Sequence, residues 1–320
     1  MKAHTPITIF TDSSLANHDT GGDEHPEIPQ RLEVIRTRID SCSLAPLLTY
    51  RQPVPATREQ LLSFHTEGWL FRFEEEVLCG KTYIDHTDNQ IGYESFNTAI
   101  LSAGTGISGI NLLESGHAAA VFCLTRPPGH HAEPNMPFGF CFFNNCVVAA
   151  RHWQQMGRQR VCIFDFDAHH GNGIQTAFEE EADTLYISIH EHPSFSYPGT
   201  GWAEEHGLGH GTGTILNLPL QPGTGDKQVL QLLNGPITEK IKEFQPQAII
   251  IAAGFDAHQQ DDMSGLMYST SLYHEIGQQI KRWEMQFCPG SLLSILEGGY
   301  DLESLAASVE AYLSGLTEKH

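Results

Sequence analysis

Short, continuous apolar runs separated by longer amphipathic stretches constrain this chain more than any other feature. Ile7–Phe10, Ala119–Leu124, Val161–Phe166, Leu185–Ile189, Ala248–Ala253 and Leu292–Leu296 are each four to six residues long and mostly bounded by Gly, Pro or charged residues. A strand covered on both faces has no wet side, so its sequence does not alternate and reads as an unbroken apolar run. Between these runs, Ser95–Leu113, Cys146–Met156, Lys227–Phe244 and Ser271–Gln286 read as helices. The alternation predicts an α/β fold: an open, mostly parallel sheet with helices on both faces. Residues 190–225, rich in Gly, Pro and His, hold no convincing element beyond a short strand at Thr214–Leu218, and Thr11–Gln30 is a second long loop. Loops of that length in a compact domain are usually functional. No linker or internal repeat divides the chain, so residues 1–320 read as one domain.

Composition narrows the function classes. The chain has 320 residues, 40% of them hydrophobic, which is enough for a sizeable core. No run of 18 apolar residues occurs, so no membrane-spanning helix is expected. Met1 to Phe10 carries one Lys and no long apolar stretch, so no signal peptide is expected either. Seven cysteines, an odd number with no pair three apart, argue against a disulfide framework or a four-cysteine zinc site and point to the reducing cytoplasm. The net charge of −21, from 18 Lys+Arg against 39 Asp+Glu, argues against a nucleic-acid surface. It suits a cationic partner, or plain solubility.

The chemistry lies at the strand ends, because ligands in open α/β sheets bind beyond the carboxyl ends of the strands. Ala119–Leu124 leads to His130-His131. Val161–Phe166 leads into Asp165-Phe-Asp167-Ala-His169. Leu185–Ile189 carries Ser188, Ala248–Ala253 leads to Asp256, and Leu292–Leu296 leads to Tyr300. In extended chain, residues two apart point to one side, so Asp165, Asp167 and His169 face together. Carboxylates and imidazoles are ordinary zinc ligands, and a catalytic zinc takes three protein ligands with one position open. Asp167 and His169 supply two, and Asp256 is the candidate third; a hydrogen-bonded turn after a strand would show the same spacing. A hydrolytic metal site also needs a base for water and an acid for the leaving amine. His130 and His131 can fill those roles, with Asp165 as partner of one ring and Asn172 of the other, so the two rings should differ in protonation. Tyr300, after Gly298-Gly299, can donate a hydrogen bond to a carbonyl oxygen as negative charge develops. Taken singly, the histidine pair and the tyrosine could equally be ordinary loop residues.

Other patterns mislead. Gly104-Thr-Gly106-Ile-Ser-Gly109 matches a dinucleotide fingerprint but sits inside a helical stretch rather than after a strand, so close helix packing explains it better. Gly207-Leu-Gly209-His-Gly211-Thr-Gly213 has no Lys and no following helix, which argues against a phosphate cradle. No Gly-x-Ser-x-Gly elbow and no His-Glu-x-x-His helix occurs.

Taken together, the motifs resemble the histone deacetylase family, which includes acetylpolyamine amidohydrolases and bacterial deacetylase-like enzymes. The strings are Arg126-Pro-Pro-Gly-His-His-Ala132, Gly139-Phe-Cys-Phe-Phe-Asn-Asn145, Asp165-Phe-Asp-Ala-His-His-Gly-Asn-Gly173, Tyr197-Pro-Gly-Thr-Gly201, Ala253-Gly-Phe-Asp256 and Glu297-Gly-Gly-Tyr300, with weaker similarity from His25-Pro-Glu27 and Arg31. The resemblance implies the arginase–deacetylase fold, with about eight mostly parallel strands. It implies zinc on Asp167, His169 and Asp256, with His131 as general base and acid and His130 as an electrostatic helper. Tyr300 and zinc would together polarise the substrate carbonyl. Phe140, beside Gly139, and Tyr197 would wall an acyl-lysine tunnel, and Asp88 would grip substrate backbone at its rim. A potassium site would take Asp165, Asp167, His169, Ser188 and the Ile189 carbonyl. Asn172, where one branch has Asp, follows the class II pattern. Met263 stands near the position of a gatekeeper Glu in polyamine-selective members, which argues against strict polyamine specificity. The implied reaction is hydrolysis of an acyl-amide bond, in an acyl-lysine peptide or protein or in a small acylated amine. A ureohydrolase on the related fold would need further Asp ligands for two manganese ions. A non-catalytic acyl-lysine reader would need no proton-transfer pair. Zinc against ferrous iron is left open by the sequence.

Overall fold

All six apolar runs form strands in the computed structural model, which describes residues 5–22 and 24–318. Met1 to His4, part of the stretch expected to lack a signal peptide, lie outside the described residues. In chain order the strands are β1 (Ile7–Phe10), β2 (Leu48–Arg51), β3 (Tyr83–Ile84), β4 (His86–Gln90), β5 (Val121–Cys123), β6 (Val161–Asp165), β7 (Thr184–Glu191), β8 (Ile215–Leu220), β9 (Ala248–Ala253) and β10 (Leu292–Leu296). Strands β3 and β4 pair as a separate antiparallel ribbon. The other eight form one sheet in the order β2-β1-β5-β10-β9-β6-β7-β8, with every pairing parallel.

The reason for the unbroken apolar strands is visible in β9. Ile249, Ile251 and Ala253 join the core on one face of the sheet, and Ala248, Ile250 and Ala252 join the core on the other. Each fully buried Ile stabilises the fold by about 1.5–3 kcal/mol before chain entropy is counted. Among the helices are α1 (Gln30–Ser41), α2 (Arg58–Leu61), α3 (Glu67–Leu78), α4 (Ser95–Glu114), α5 (Asn145–Gln155) and α6 (Asn172–Phe178). They continue with α7 (Asp226–Leu232), α8 (Thr238–Phe244), α9 (Thr270–Phe287) and α10 (Leu302–Thr317). On α9, Leu272, Ile276, Ile280 and Trp283 recur at helical spacing and are buried, while the Ser269 hydroxyl accepts from the Leu272 amide and caps the first turn. Among the described residues no helix is long and apolar enough to cross a membrane.

Several elements depart from expectation. The single helix expected over Lys227–Phe244 is two, α7 and α8, joined by a wide turn at Leu233–Ile237 with Gly235 at φ −113°, ψ −108°. Pro236 causes the break: it lacks an amide hydrogen and its ring collides with the preceding turn. Strand β8 runs two residues beyond the expected Leu218, β7 reaches Glu191 inside the expected loop, and β2, α1, α3 and α10 were not expected from periodicity. Residues 11–30 are a loop as expected, apart from a turn of 3₁₀ helix at Ser13–Asn17. The glycines of α4 serve packing: a Cβ on Gly104 would lie 2.0 Å from the Val54 carbonyl oxygen.

Candidate active site

The strands whose ends carry reactive groups are neighbours. β5, β10, β9, β6 and β7 are contiguous in the sheet, so His130 and His131, Tyr300, Asp256, Asp165 with Asp167 and His169, and Ser188 come to one edge. Asp165 and Ser188 stand opposite one another in the β6–β7 register.

Asp167, His169 and Asp256 converge, with one ligand atom from each within 4.8 Å of the others. His169 Nδ1 lies 3.2 Å from Asp167 Oδ1 and 3.0 Å from Asp256 Oδ2, and its Nε2 lies 3.2 Å from the Met263 carbonyl. A proton on Nε2, donated to that carbonyl, leaves the Nδ1 lone pair for a metal. Backbone amides orient the carboxylates: Gly298 N donates to Asp167 Oδ2 at 2.8 Å, His169 N to Asp167 Oδ1 at 2.9 Å, and Ala168 N to Asp256 Oδ1 at 2.8 Å. Both carboxylates are fully buried, and no Lys or Arg among the described residues pairs with either. Outside the three donors, the nearest positive charge is His130, whose Nε2 lies 3.8 Å from Asp167 Oδ1; one cation leaves a pair of buried carboxylates undercompensated, and a divalent ion on these three donors would balance them. The backbone also makes room: a Cβ on Gly254 or Gly298 would come within 2.2 Å of an Asp167 or Asp256 carboxylate oxygen. The donor set therefore fits a divalent metal such as zinc.

The adjacent histidines have the expected partners. His130 Nδ1 lies 3.1 Å from Asp165 Oδ2, and His131 Nδ1 lies 2.8 Å from Asn172 Oδ1. The Asn172 amide nitrogen donates to the His131 carbonyl and to Glu133, which fixes Oδ1 as the atom facing the ring. His131 therefore donates from Nδ1 and keeps Nε2 as its basic nitrogen. Burial alone would lower His130, but the negative charges of Asp167 and Asp165 outweigh it and raise its pKa to about 10. Burial, then the charges of His130 and His169, holds His131 well below the ordinary histidine range. The two rings differ in protonation, as their partners predict.

Above these groups is a tunnel of about 200 Å³ lined by Asp88, His131, Gly139, Phe140, His169, Tyr197, Met263 and Tyr300. All five residues expected to touch substrate line it. The Tyr197 ring stands edge-on to His131 at 5.0 Å, and Phe140 edge-on to Tyr300 at 5.8 Å. Gly139 is required by two constraints: φ of +49°, and a Cβ that would fall 2.5 Å from His131 Cδ2. Burial, then Asp256, pushes the Tyr300 phenol well above its usual range, so it keeps the proton it would donate.

Several supporting residues were not singled out from the sequence. Glu297 Oε2 accepts from the Gly129 and His130 amides at 2.6 and 3.1 Å, tying the end of β10 to the histidine loop. Asp261 accepts from the Tyr300 and Asp301 amides and from Met263 N. Arg31, fully buried, donates to the Gly299 and Glu297 carbonyls and lies 5.1 Å from the Tyr300 ring centre. Glu27 binds both Arg31 and Arg126; burial would raise its carboxyl, but the two guanidiniums hold it down at about 2. Arg31 and Glu27 lie within the similar strings, whereas nothing in the local pattern marks Asp261.

Comparisons with known proteins identify the family. A model of the histone deacetylase domain matches residues 25–316. Histone deacetylase 14, chloroplastic, of Arabidopsis thaliana is 35% identical, over 94% of this chain and 74% of its own length. Acetylpolyamine amidohydrolase 2 of Pseudomonas aeruginosa is 31% identical over 98% of this chain and 99% of its own. The crystal structure of the HDA15 HD domain matches with a TM-score of 0.91 at 32% identity, covering 97% of this chain and 88% of that one. The chain belongs to the histone deacetylase family, and its eight-stranded parallel sheet is the arginase–deacetylase fold.

Proposed function

We propose that the protein is a zinc-dependent amide hydrolase that removes a short acyl group from lysine side chains in peptides or proteins. The observation that carries this reading is the convergence of Asp167, His169 and Asp256 with His131 and Tyr300 at one tunnel. Zinc, when bound to those three ligands, supplies Lewis acidity toward a water molecule and the amide carbonyl. His131, with Nδ1 anchored on Asn172, accepts a proton at Nε2 from the attacking water and returns it to the departing amine. Tyr300 donates its phenol hydrogen to the carbonyl oxygen as negative charge grows there. His130, held cationic by Asp167 and Asp165, adds positive charge beside the reacting groups without itself exchanging the proton. Phe140 and Tyr197 flank the alkyl stem of the acyl-lysine, and Asp88 meets the substrate backbone at the rim. The same reading places potassium at Asp165, Asp167, His169, Ser188 and the Ile189 carbonyl, and the protein in a reducing cytoplasm, which its seven free thiols suit.

A second reading, hydrolysis of acetylated polyamines or other small amides, is favoured by the relative of that name, which matches over nearly the full length of both chains; Met263 at the tunnel weighs against strict polyamine specificity. Turnover of acetyl-lysine peptides, longer acyl-lysine peptides and acetylated polyamines, with and without chelator, tests both. Chelation is expected to abolish turnover and added zinc to restore it, with zinc content following activity. Tyr300→Phe is expected to lower kcat by about 10²–10³-fold with metal content unchanged. Turnover insensitive to chelator, or none from folded zinc-loaded protein on any substrate, overturns the reading.

A further inference from the structure

Asn172 does not line the tunnel; it lines a separate groove of about 450 Å³ together with Glu133, His170, Gln175 and Glu205. Both hydrogens of its amide are engaged. Nδ2 donates to the His131 carbonyl at 3.2 Å and to Glu133 Oε1 at 2.9 Å, while Oδ1 faces His131 Nδ1 at 2.8 Å. A primary amide is nearly symmetric in shape, so turning it over exchanges donor and acceptor at little steric cost. Turned over, Asn172 would donate to His131 Nδ1, and the ring would have to carry its hydrogen on Nε2. That tautomer has no lone pair on the nitrogen that the reaction needs. Two acceptors oppose the turn. The His131 carbonyl is neutral and the more distant, whereas the Glu133 carboxylate is closer and its hydrogen bond is of the stronger, charge-assisted kind. In the turned amide, the oxygen would stand against that carboxylate.

Glu133 is itself held in place. Its backbone N donates to the Met136 carbonyl at 3.0 Å, and its carbonyl accepts from His65 Nδ1 at 3.1 Å. His65 Nε2 accepts from Asn144 N, which leaves the ring hydrogen on Nδ1 for that contact. A half-buried residue two positions beyond His131 is thus fixed at both backbone groups.

We infer that Glu133 is a positioning residue for the hydrolysis: by fixing the orientation of the Asn172 amide, it selects the His131 tautomer that keeps Nε2 free. The inference rests on the amide-hydrolase reading, in which Nε2 is the base. It makes positions 133 and 172 a unit, because a carboxylate at 133 is useful only opposite an amide. In the Asn172→Asp variant no amide hydrogen remains for Glu133 to accept, and two carboxylates would face one another.

The test combines turnover with nitrogen NMR of the histidine rings in zinc-loaded protein, the His131 signals being identified by their loss in His131→Ala. Glu133→Ala is expected to lower kcat about tenfold, with KM within about twofold of the parent because the tunnel walls are untouched. The same variant is expected to show His131 partly as the Nε2–H tautomer. Glu133→Gln keeps an acceptor oxygen and is expected to restore most of kcat and the Nδ1–H tautomer. Glu133→Met, similar in length but without a comparable acceptor, covers the case in which the Ala variant does not fold. In the Asn172→Asp background, with each protein at its own pH optimum, Glu133→Ala is expected to cost nothing or to raise kcat. An equal loss in both backgrounds means that Glu133 serves the fold alone and overturns the inference. Unchanged kcat or an unchanged His131 tautomer in Glu133→Ala and Glu133→Met also overturns it, while leaving the hydrolase intact. Failure of the folded, zinc-loaded parent to hydrolyse any acyl-amide overturns the hydrolase reading and the inference with it.

Discussion

His130 and His131 are sequence neighbours with ring centres 3.9 Å apart, yet one faces a carboxylate and the other an amide. The charges of Asp167 and Asp165 raise His130, whereas burial and the charges of His130 and His169 lower His131, which an amide partner does not offset. An aspartate at position 172 would place a negative charge on His131 Nδ1–H and favour the protonated ring. The basic form would then be lost at higher pH, so Asn172→Asp is expected to move the acid limb of the kcat/KM profile upward, as a pH–rate comparison with the parent would show. An unmoved limb would mean that His131 is not the group whose ionisation the profile reports. Both pairings were legible in the sequence, because Asp165 and Asn172 flank the metal-ligand string at short range. Asp261 was not legible: its partners Tyr300 and Asp301 lie about forty residues away, and only the folded chain brings their amides to it.

Elements carry the site by holding loops together, and Glu297 shows how. Its side chain leaves the end of β10, crosses to the loop after β5, and accepts two amides there, while Arg31 of α1 donates to its backbone carbonyl. Glu297→Leu would strand the Gly129 and His130 amides in a dry interior, at roughly 2–4 kcal/mol. Glu297→Gln retains one acceptor oxygen and is expected to lose less. Denaturant midpoints read the stability cost, and kcat at full metal loading reads the displacement of the histidines. Equal stability of the Leu variant and the parent would remove this tie from the account. Elements that periodicity missed share a cause. Strand β2 (Leu48–Arg51) is partly exposed at the sheet edge and mixes polar with apolar residues, and α1 buries Arg31 on the face that would otherwise read as apolar. The misread helix over Lys227–Phe244 has a continuous apolar period, and only the steric effect of Pro236 breaks it.

At the scale of the molecule, strand composition announces a buried parallel sheet but not its order. β5 and β10 pair although some 170 residues separate Val121 from Leu293, and it is this pairing that sets Glu297 and Tyr300 beside the histidine loop. An interior that buries polar groups on the loops around the sheet should respond to acid as a unit. His18 and His65 stand well apart from the metal ligands in sequence, and both are almost wholly buried. Burial lowers each to about 3, with the nearby Glu27 only partly opposing it for His18. Folded, these rings stay neutral down to about pH 3; unfolded, they take up a proton near pH 6.5. Their stability contribution is therefore complete above about pH 6.5 and is lost as the pH falls toward 3. Between about pH 7.5 and about pH 5.5 each ring should withdraw about 1.3 kcal/mol of folding stability. Denaturant unfolding at the two values measures the total. His65→Gln, whose side chain can still accept from the Asn144 amide and donate to the Glu133 carbonyl, should reduce the difference by one ring's share. A variant whose pH dependence equals the parent's would show that His65 is protonated in the folded protein, and that acid unfolding begins elsewhere.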